Sequence, residues 1–117
     1  IKFMPEQKAL NDLGGTMRLG SHKISVNSNT LAHKIYSNDH IYKRHRHRYE
    51  FNKNYLSLIQ KNGMILSGHS DNNKRMEILE IPENKFHIAV QYHAEFDSRP
   101  GKPEPIFAAF IDACIIS

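Results

Sequence analysis

The residues best suited to chemistry are a histidine and a glutamate two positions apart, in the run Gln91-Tyr92-His93-Ala94-Glu95-Phe96. The apolar residues 86–90 precede them and are typical of a short buried strand. Because alternate side chains of an extended chain point the same way, we expect His93 and Glu95 to leave the strand end together. A neutral imidazole accepts protons and a carboxylate orients it, so the pair suits general base catalysis. The same spacing also occurs in surface pairs without chemistry.

A second cluster of polar side chains is the basic run Arg44-His45-Arg46-His47-Arg48-Tyr49. The whole chain has 16 Lys and Arg against 12 Asp and Glu, which gives a net charge of +4. Four basic residues fall within six positions here, beginning at Lys43, and without them the charges balance. The positive excess is therefore local, which indicates a specific site or patch and argues against a surface that binds polyanions generally.

The patterning of apolar residues predicts the elements that position both groups. Alternation of apolar or aromatic residues with polar ones predicts strands at residues 16–26, 41–51, 64–68 and 75–81. A polar turn joins the last two strands. Capping signals predict short helices at residues 30–36, with Thr30 as the N-cap, and at residues 54–63, which Gly63 ends. A strand-rich middle closed by a C-terminal helix indicates an α/β or α+β class.

The C-terminal helix is predicted at residues 104–115 and contains the only cysteine. Its apolar residues recur with the spacing of one helix face: Ile106, Phe107, Phe110, Ile111 and Cys114. We expect this face to pack on the sheet, which would bury Cys114 among apolar groups, where a thiol is inert. A single cysteine forms no internal disulfide, so the cytoplasm is the expected compartment.

The composition is that of an ordinary globular domain, with 117 residues, 39% hydrophobic and 24% charged. No apolar run approaches the ~20 residues that cross a bilayer, so we expect no membrane partner. Residues 1–15 contain Pro5 and the pair Gly14-Gly15, which predicts a surface connection able to cover a site.

Three motifs in this order resemble the C-terminal part of the glutamine amidotransferase domain of the CTP synthase family. They are Gly14-Gly15-Thr16-Met17-Arg18-Leu19-Gly20, the basic run with Glu50-Phe51-Asn52 after it, and the stretch from Gln91 to Pro103. The resemblance implies a partial flavodoxin-like class I glutamine amidotransferase fold of the α/β class, its C-terminal helix packed on the sheet. It also implies that residues 1–117 are the C-terminal portion of that domain, with the cysteine nucleophile and the synthase domain upstream.

The resemblance implies roles for individual residues. His93 matches the catalytic base and Glu95 the carboxylate of a Cys-His-Glu triad, while Arg48 matches a residue that binds the substrate glutamine. Arg18 would lie beside the site without a specific role. The chain has Ala94 where the family has proline, and the freer backbone would loosen the alignment of the dyad.

For the intact enzyme, the resemblance implies glutamine hydrolysis at one site and ATP-dependent amination of UTP to CTP at another. The family is a homotetramer, with ATP and magnesium sites in the synthase domain, so we expect no cofactor in this segment. Without the nucleophile, this chain should be inactive by itself.

Other interpretations of the same residues stay open. The sequence also suits a pseudo-glutaminase that serves as a binding module, another class I amidotransferase, or a small basic RNA-binding protein whose arginines contact phosphate. The basic run would also suit a solvated face or a subunit interface. A metal site at His45 and His47 has only two ligands, whereas zinc needs at least three, so we predict no metal.

Overall fold

The structure, a computed structural model, describes residues 2–3, 18–70 and 75–115. The strands within these ranges are β1 (Lys2–Phe3), β2 (Arg18–Val26), β3 (His40–His47), β4 (Tyr49–Glu50), β5 (Ile65–Ser70), β6 (Arg75–Glu80) and β7 (Ile88–Val90). The α-helices are α1 (Leu31–Tyr36), α2 (Leu56–Lys61) and α3 (Pro105–Ile115), and short 3-10 helices cover Lys53–Tyr55 and Ala94–Asp97. Among these helices, none has the length and apolar character needed to cross a membrane.

The main sheet has five strands in the order β3-β2-β5-β6-β7, and each neighbouring pair is antiparallel. Strands β2 and β3 pair along most of their length, from Arg18 opposite His47 to Ser25 opposite His40. Strands β1 and β4 form a separate two-stranded ribbon. The α/β class, with a strand-rich middle and a C-terminal helix, is confirmed.

The sheet curls so that its two edges approach each other. After edge strand β7, the backbone N–H of Gln91 donates to the carbonyl of Glu77 on β6, at 3.0 Å. Two residues later, the N–H of His93 donates to the carbonyl of Arg44 on the opposite edge strand β3, also at 3.0 Å. The segment that carries the predicted catalytic pair is therefore fixed to both sides of the curled sheet.

The hydrophobic core lies between the sheet and helices α1 and α3. Its buried members are Ile24, Val26, Ala32, Ile41, Ile78, Tyr92, Ala94 and Ile106. Strand β5 approaches β6 closely at Gly68, where the register shifts and an added Cβ atom would lie 2.6 Å from the Ile78 side chain. Only glycine fits at this position without displacing the core.

Helix α1 begins where the sequence predicts. The side chain of Thr30 accepts a hydrogen bond from the N–H of His33, at 3.1 Å. The carboxylate of Glu80, on β6 and 2% exposed, accepts the N–H groups of Leu31 at 2.8 Å and Ala32 at 3.1 Å. Because the first N–H groups of a helix have no partner within the helix, these bonds satisfy both the helix end and a buried carboxylate.

The predicted strand at residues 41–51 ends earlier than expected. The chain bends at Arg48, and Tyr49–Glu50 pairs with β1 instead of continuing the main sheet. Residues 2–3, predicted as part of a connection, form β1 because their backbone pairs with β4. The rest of that connection, to residue 15, and the first two residues of the strand predicted at 16–26 lie outside the described residues. The polar turn predicted at residues 69–74 begins too early, because His69 and Ser70 belong to β5, and its other residues lie outside the described ranges.

The strand before His93 and Glu95 is shorter and less buried than predicted. It covers Ile88–Val90 and lies at the edge of the sheet, so Ala89 is exposed and its neighbours are half-buried. An edge strand has a partner on one side only, which explains why the apolar run of residues 86–90 is not enclosed.

The predicted packing face of the C-terminal helix is wrong. Ile106 is buried, but Phe107 is 41%, Phe110 50% and Ile111 54% exposed, and Cys114 is exposed as well. The alanines of α3 at positions 108, 109 and 113 are half-buried instead. These alanines line a groove whose other side includes Leu31 and Ile35 of α1. Since α3 is apolar on more than one face, its spacing did not determine which face is turned toward α1.

Candidate functional site

His93 and Glu95 lie together just beyond β7. The Nδ1 atom of His93 is 2.6 Å from Oε1 of Glu95, and the carboxylate accepts the hydrogen bond. The predicted extended geometry is wrong, because His93 is the N-cap residue of the 3-10 helix Ala94–Asp97. The N–H of Phe96 donates to the carbonyl of His93 at 3.2 Å, and this turn brings the two side chains together.

The hydrogen bond lowers the pKa of the carboxyl group and selects the tautomer of the neutral imidazole. It is the largest cause that lowers the pKa of Glu95 below the usual value, so the carboxylate stays ionised at neutral pH. A carboxylate can only accept, so Nδ1 of His93 carries the proton and Nε2 is left as the basic nitrogen of the neutral ring. The ring also stacks on Phe96, with centroids 5.1 Å apart, which restricts its rotation.

An open cleft of about 610 Å³ lies beside this pair. Its walls are formed by Arg46, His47, Arg48, Tyr49, Gln91 and His93. The structure therefore brings His93 and Arg48, two of the predicted site residues, to the same cleft, although they are far apart in sequence. Glu95 is not part of the walls of the cleft, but its hydrogen-bond partner His93 is.

The bend at Arg48 separates this arginine from the two that precede it. Along β3, Arg44 and Arg46 are exposed and alternate with the buried Lys43 and His45, as predicted for an extended strand. Arg48 follows the end of the strand and is half-buried. The regular alternation of β3 ends there, so Arg48 does not continue the exposed face formed by Arg44 and Arg46.

Sequence reasoning missed an ion-pair network centred on the buried Lys43. The ammonium group of Lys43, on β3, lies 3.3 Å from Oδ2 of Asp97 and 3.2 Å from Oε1 of Glu104. Asp97 ends the 3-10 helix that contains Glu95, and Glu104 precedes α3. Lys43 therefore connects the 3-10 helix Ala94–Asp97 to the sheet and to the start of the C-terminal helix.

Two tyrosines extend this network into the core. The hydroxyls of Tyr36 and Tyr92 are 2.6 Å apart, and Lys43 Nζ lies 5.0 Å from the centroid of the Tyr36 ring. Burial is the main cause that raises the pKa of both tyrosines, so both stay neutral and share the hydrogen bond. Tyr92 directly precedes His93, so packing of Tyr92 in the core holds the backbone before His93. The contact of Lys43 with Asp97 holds the backbone after it.

Ala94 is 4% exposed and packs in the core. The backbone on either side of it is held by the bonds of the His93 N–H to Arg44 and of the Phe96 N–H to His93. The loosened alignment expected from the absence of proline stays a prediction. Arg18 begins β2, but its side chain lies outside the described part of the structure.

The two remaining candidates from the sequence have other surroundings. Nδ1 of His45 and Nε2 of His47 lie 2.9 Å apart, so one ring nitrogen of each is directed at the other. Within the described ranges, no group of three or more His, Cys, Asp or Glu side chains could hold a metal ion. Cys114 is exposed on α3, which contributes nothing to the walls of the cleft, so the expected burial of this thiol is wrong.

Comparison with known proteins identifies similar chains. The model of the family "Glutamine amidotransferase class-I" matches residues 4–113. The chain is 51% identical over 113 residues to the CTP synthase of Staphylococcus haemolyticus, covering 97% of this chain and 21% of that protein. It is 50% identical over 115 residues to the CTP synthase of Staphylococcus epidermidis, covering 98% of this chain and 22% of that protein. The chain thus spans about a fifth of the length of these relatives.

A solved structure has a similar fold. The glutaminase domain of Trypanosoma brucei CTPS with bound acivicin superposes with a TM-score of 0.81 at 35% sequence identity. The match covers 89% of this chain and 42% of that domain. The curled sheet with its C-terminal helix is therefore an arrangement shared with that glutaminase domain.

Proposed function

Because the chain belongs to the class-I glutamine amidotransferase family, we propose that it is the C-terminal portion of the glutaminase domain of a CTP synthase. The observation that carries the proposal is the cleft whose walls include both Arg48 and His93, with Glu95 hydrogen-bonded to the histidine. The names of the relatives at about 50% identity support the choice of CTP synthase within the family.

In the proposed reaction, His93 is the base and then the acid. Nε2 takes the proton of a cysteine thiol that an upstream part of the polypeptide contributes, and the thiolate attacks the side-chain carboxamide carbon of glutamine. The imidazolium returns the proton to the departing nitrogen, which leaves as ammonia. In the second half, Nε2 of His93 takes a proton from water, whose oxygen attacks the thioester carbon. The imidazolium then gives this proton to the leaving cysteine sulfur, which releases glutamate and the thiol.

Glu95 and Arg48 have separate roles in this proposal. Glu95 holds His93 in the tautomer with a basic Nε2 and stabilises the imidazolium that forms. Arg48, on the wall of the cleft, binds the substrate glutamine, whose carboxylate suits the planar, permanently charged guanidinium group. Without the cysteine, the 117-residue chain is expected to be inactive by itself.

The remaining functions belong to the larger enzyme. We propose that the ammonia passes to a synthase domain, where ATP-dependent amination converts UTP to CTP, and that the enzyme is a cytoplasmic homotetramer. ATP and magnesium would bind in that synthase domain, and no step assigned to the residues of this chain involves a metal. Glutamine and the synthase domain are thus the proposed partners of this segment.

The proposal is tested by substituting the base in the full-length polypeptide. The variant His93→Ala should lower kcat/KM for ammonia release from glutamine by about 10²- to 10⁴-fold, the usual contribution of general acid–base catalysis. His87→Ala is the matched control, because His87 is exposed and lies outside the walls of the cleft. Activity of His93→Ala within twofold of the control would contradict the assignment of the base.

A further inference from the structure

Two adjacent residues of β3 hold the two ends of the turn formed by residues 93–97. At its start, the backbone carbonyl of Arg44 accepts a hydrogen bond from the N–H of His93, at 3.0 Å. At its end, the ammonium group of Lys43 lies 3.3 Å from Oδ2 of Asp97. Because Lys43 and Arg44 are neighbours in one strand, both ends of the turn are held against the same short piece of the sheet.

The position of the Glu95 carboxylate depends on the backbone of this turn. The carboxylate accepts a hydrogen bond from His93, and the backbone N–H of Glu95 itself is the second group that lowers its pKa. The ring of His93 stacks on Phe96, which belongs to the same turn. A change in the conformation of the turn would therefore move the carboxylate relative to the imidazole.

Lys43 has a second, better buried carboxylate as its counter-ion. Oε1 of Glu104 lies 3.2 Å from the same ammonium group, and the Glu104 side chain is fully buried. The Asp97 side chain is 38% exposed, and an ion pair that water screens contributes little to folding stability. Glu104 already balances the charge of Lys43 inside the protein, so the main structural effect of the Asp97 contact is to hold the end of the turn.

We propose that Asp97 is a positioning residue for glutamine hydrolysis. Through its contact with Lys43, it holds the turn in the conformation that aligns Glu95 with His93. The inference rests on the proposed function, since it takes His93 as the base. The described walls of the cleft do not include Asp97, so its substitution should lower kcat and leave KM for glutamine nearly unchanged.

The test begins with Asp97→Ala in the full-length polypeptide, assayed by ammonia release from glutamine. This variant removes the contact with Lys43, and kcat should fall by about tenfold, because a misplacement of about 1 Å can cost up to about 10²-fold in rate. KM for glutamine should change by less than about twofold. Asp112→Ala is the matched control, since it removes an exposed carboxylate on α3 that lies outside the walls of the cleft, and it should leave both constants unchanged.

A second variant, Asp97→Asn, separates the contact from the negative charge. Its amide oxygen can still accept a hydrogen bond from the ammonium group of Lys43, so kcat should recover to within about threefold of wild type. If the charge of Asp97 instead stabilised the imidazolium of His93 through space, Asp97→Asn would be as slow as Asp97→Ala.

Urea unfolding distinguishes positioning from a loss of folded enzyme. Asp97→Ala should unfold at nearly the same urea concentration as Asp112→Ala, because a partly exposed ion pair contributes little to stability. A much lower midpoint, a kcat within about twofold of the control, a raised KM with unchanged kcat, or equal kcat values for Asp97→Ala and Asp97→Asn would overturn the proposal.

The variant His93→Ala, assayed in parallel, tests the proposed function separately. Full activity of His93→Ala would refute the assignment of the base, and with it the positioning role of Asp97. Loss of activity in His93→Ala with no effect of Asp97→Ala would refute the positioning role alone.

Discussion

At the level of single residues, the proposed chemistry depends on one hydrogen bond between two partly exposed side chains. The bond of His93 to Glu95 is 2.6 Å long, and the two side chains are 39% and 58% exposed. Water screens such a pair, so its contribution to folding stability is small. In the proposed reaction, the bond sets the tautomer and the orientation of the imidazole ring.

The pKa of Glu95 is lower in the folded protein than its ordinary value of about 4.3, so the ionised carboxylate contributes to folding stability above that pH. This contribution is lost as pH falls through the lowered pKa. Between neutral pH and about 5, Glu95 therefore stays ionised, and loss of glutaminase activity in that range should not come from its protonation.

Substitution of Glu95 tests this role. In Glu95→Gln, the amide carbonyl still accepts from Nδ1 but lacks the charge that stabilises the imidazolium, so kcat should fall by about 10²-fold at pH 7. KM for glutamine should change by less than about threefold, because Glu95 does not line the cleft. Steady-state kinetics of ammonia release distinguish the two constants, and a raised KM with an unchanged kcat would show that Glu95 binds substrate instead.

At the level of elements, local sequence signals predicted the secondary structure of each segment better than its packing partners. Thr30 and Gly63 mark the ends of helices where the sequence places them, because caps and turns depend on neighbouring residues. The packing face of α3 depends on α1 and the sheet, and alternation in β3 could not reveal that the chain would bend at Arg48 to pair with β1. Likewise, Lys43 and Glu104 are 61 positions apart, so no local sequence pattern could predict their contact.

The contacts of Lys43 with Asp97 and Glu104 can be tested by substitution. Removing the charge in Lys43→Met leaves Asp97 and the fully buried Glu104 without their cation, and such a loss typically costs about 3–5 kcal/mol. Urea unfolding of the glutaminase domain should show this decrease in the free energy of unfolding. Lys23→Met, at an exposed position of β2, is the control and should change it by less than about 0.5 kcal/mol.

The double variant Lys43→Met with Glu104→Gln separates charge from packing. Replacing the buried carboxylate by a neutral amide should recover part of the lost stability, since an uncharged group needs no buried cation. If the double variant is less stable than Lys43→Met, the ion pair is not the reason for the loss.

At the level of the whole molecule, the curled antiparallel sheet brings both halves of the site together. The two edges of the sheet approach each other where the N–H of His93 donates to the carbonyl of Arg44. Residues of the basic run and His93 therefore line the same cleft. Through a family resemblance, the sequence motifs predicted two residues of this cleft as site residues, Arg48 and His93. Their proximity required the curl, which arises from pairings between strands distant in sequence.

We propose that this segment contributes the base of a glutaminase that supplies ammonia to a synthase. The most direct measurement is CTP formation from UTP and ATP by the full-length polypeptide, with either glutamine or ammonium chloride as the nitrogen source. His93→Ala should lose glutamine-dependent CTP formation by at least about 10²-fold and retain ammonia-dependent formation, because only the first requires the base. Equal loss of both activities, or full retention of the glutamine-dependent one, would contradict the account.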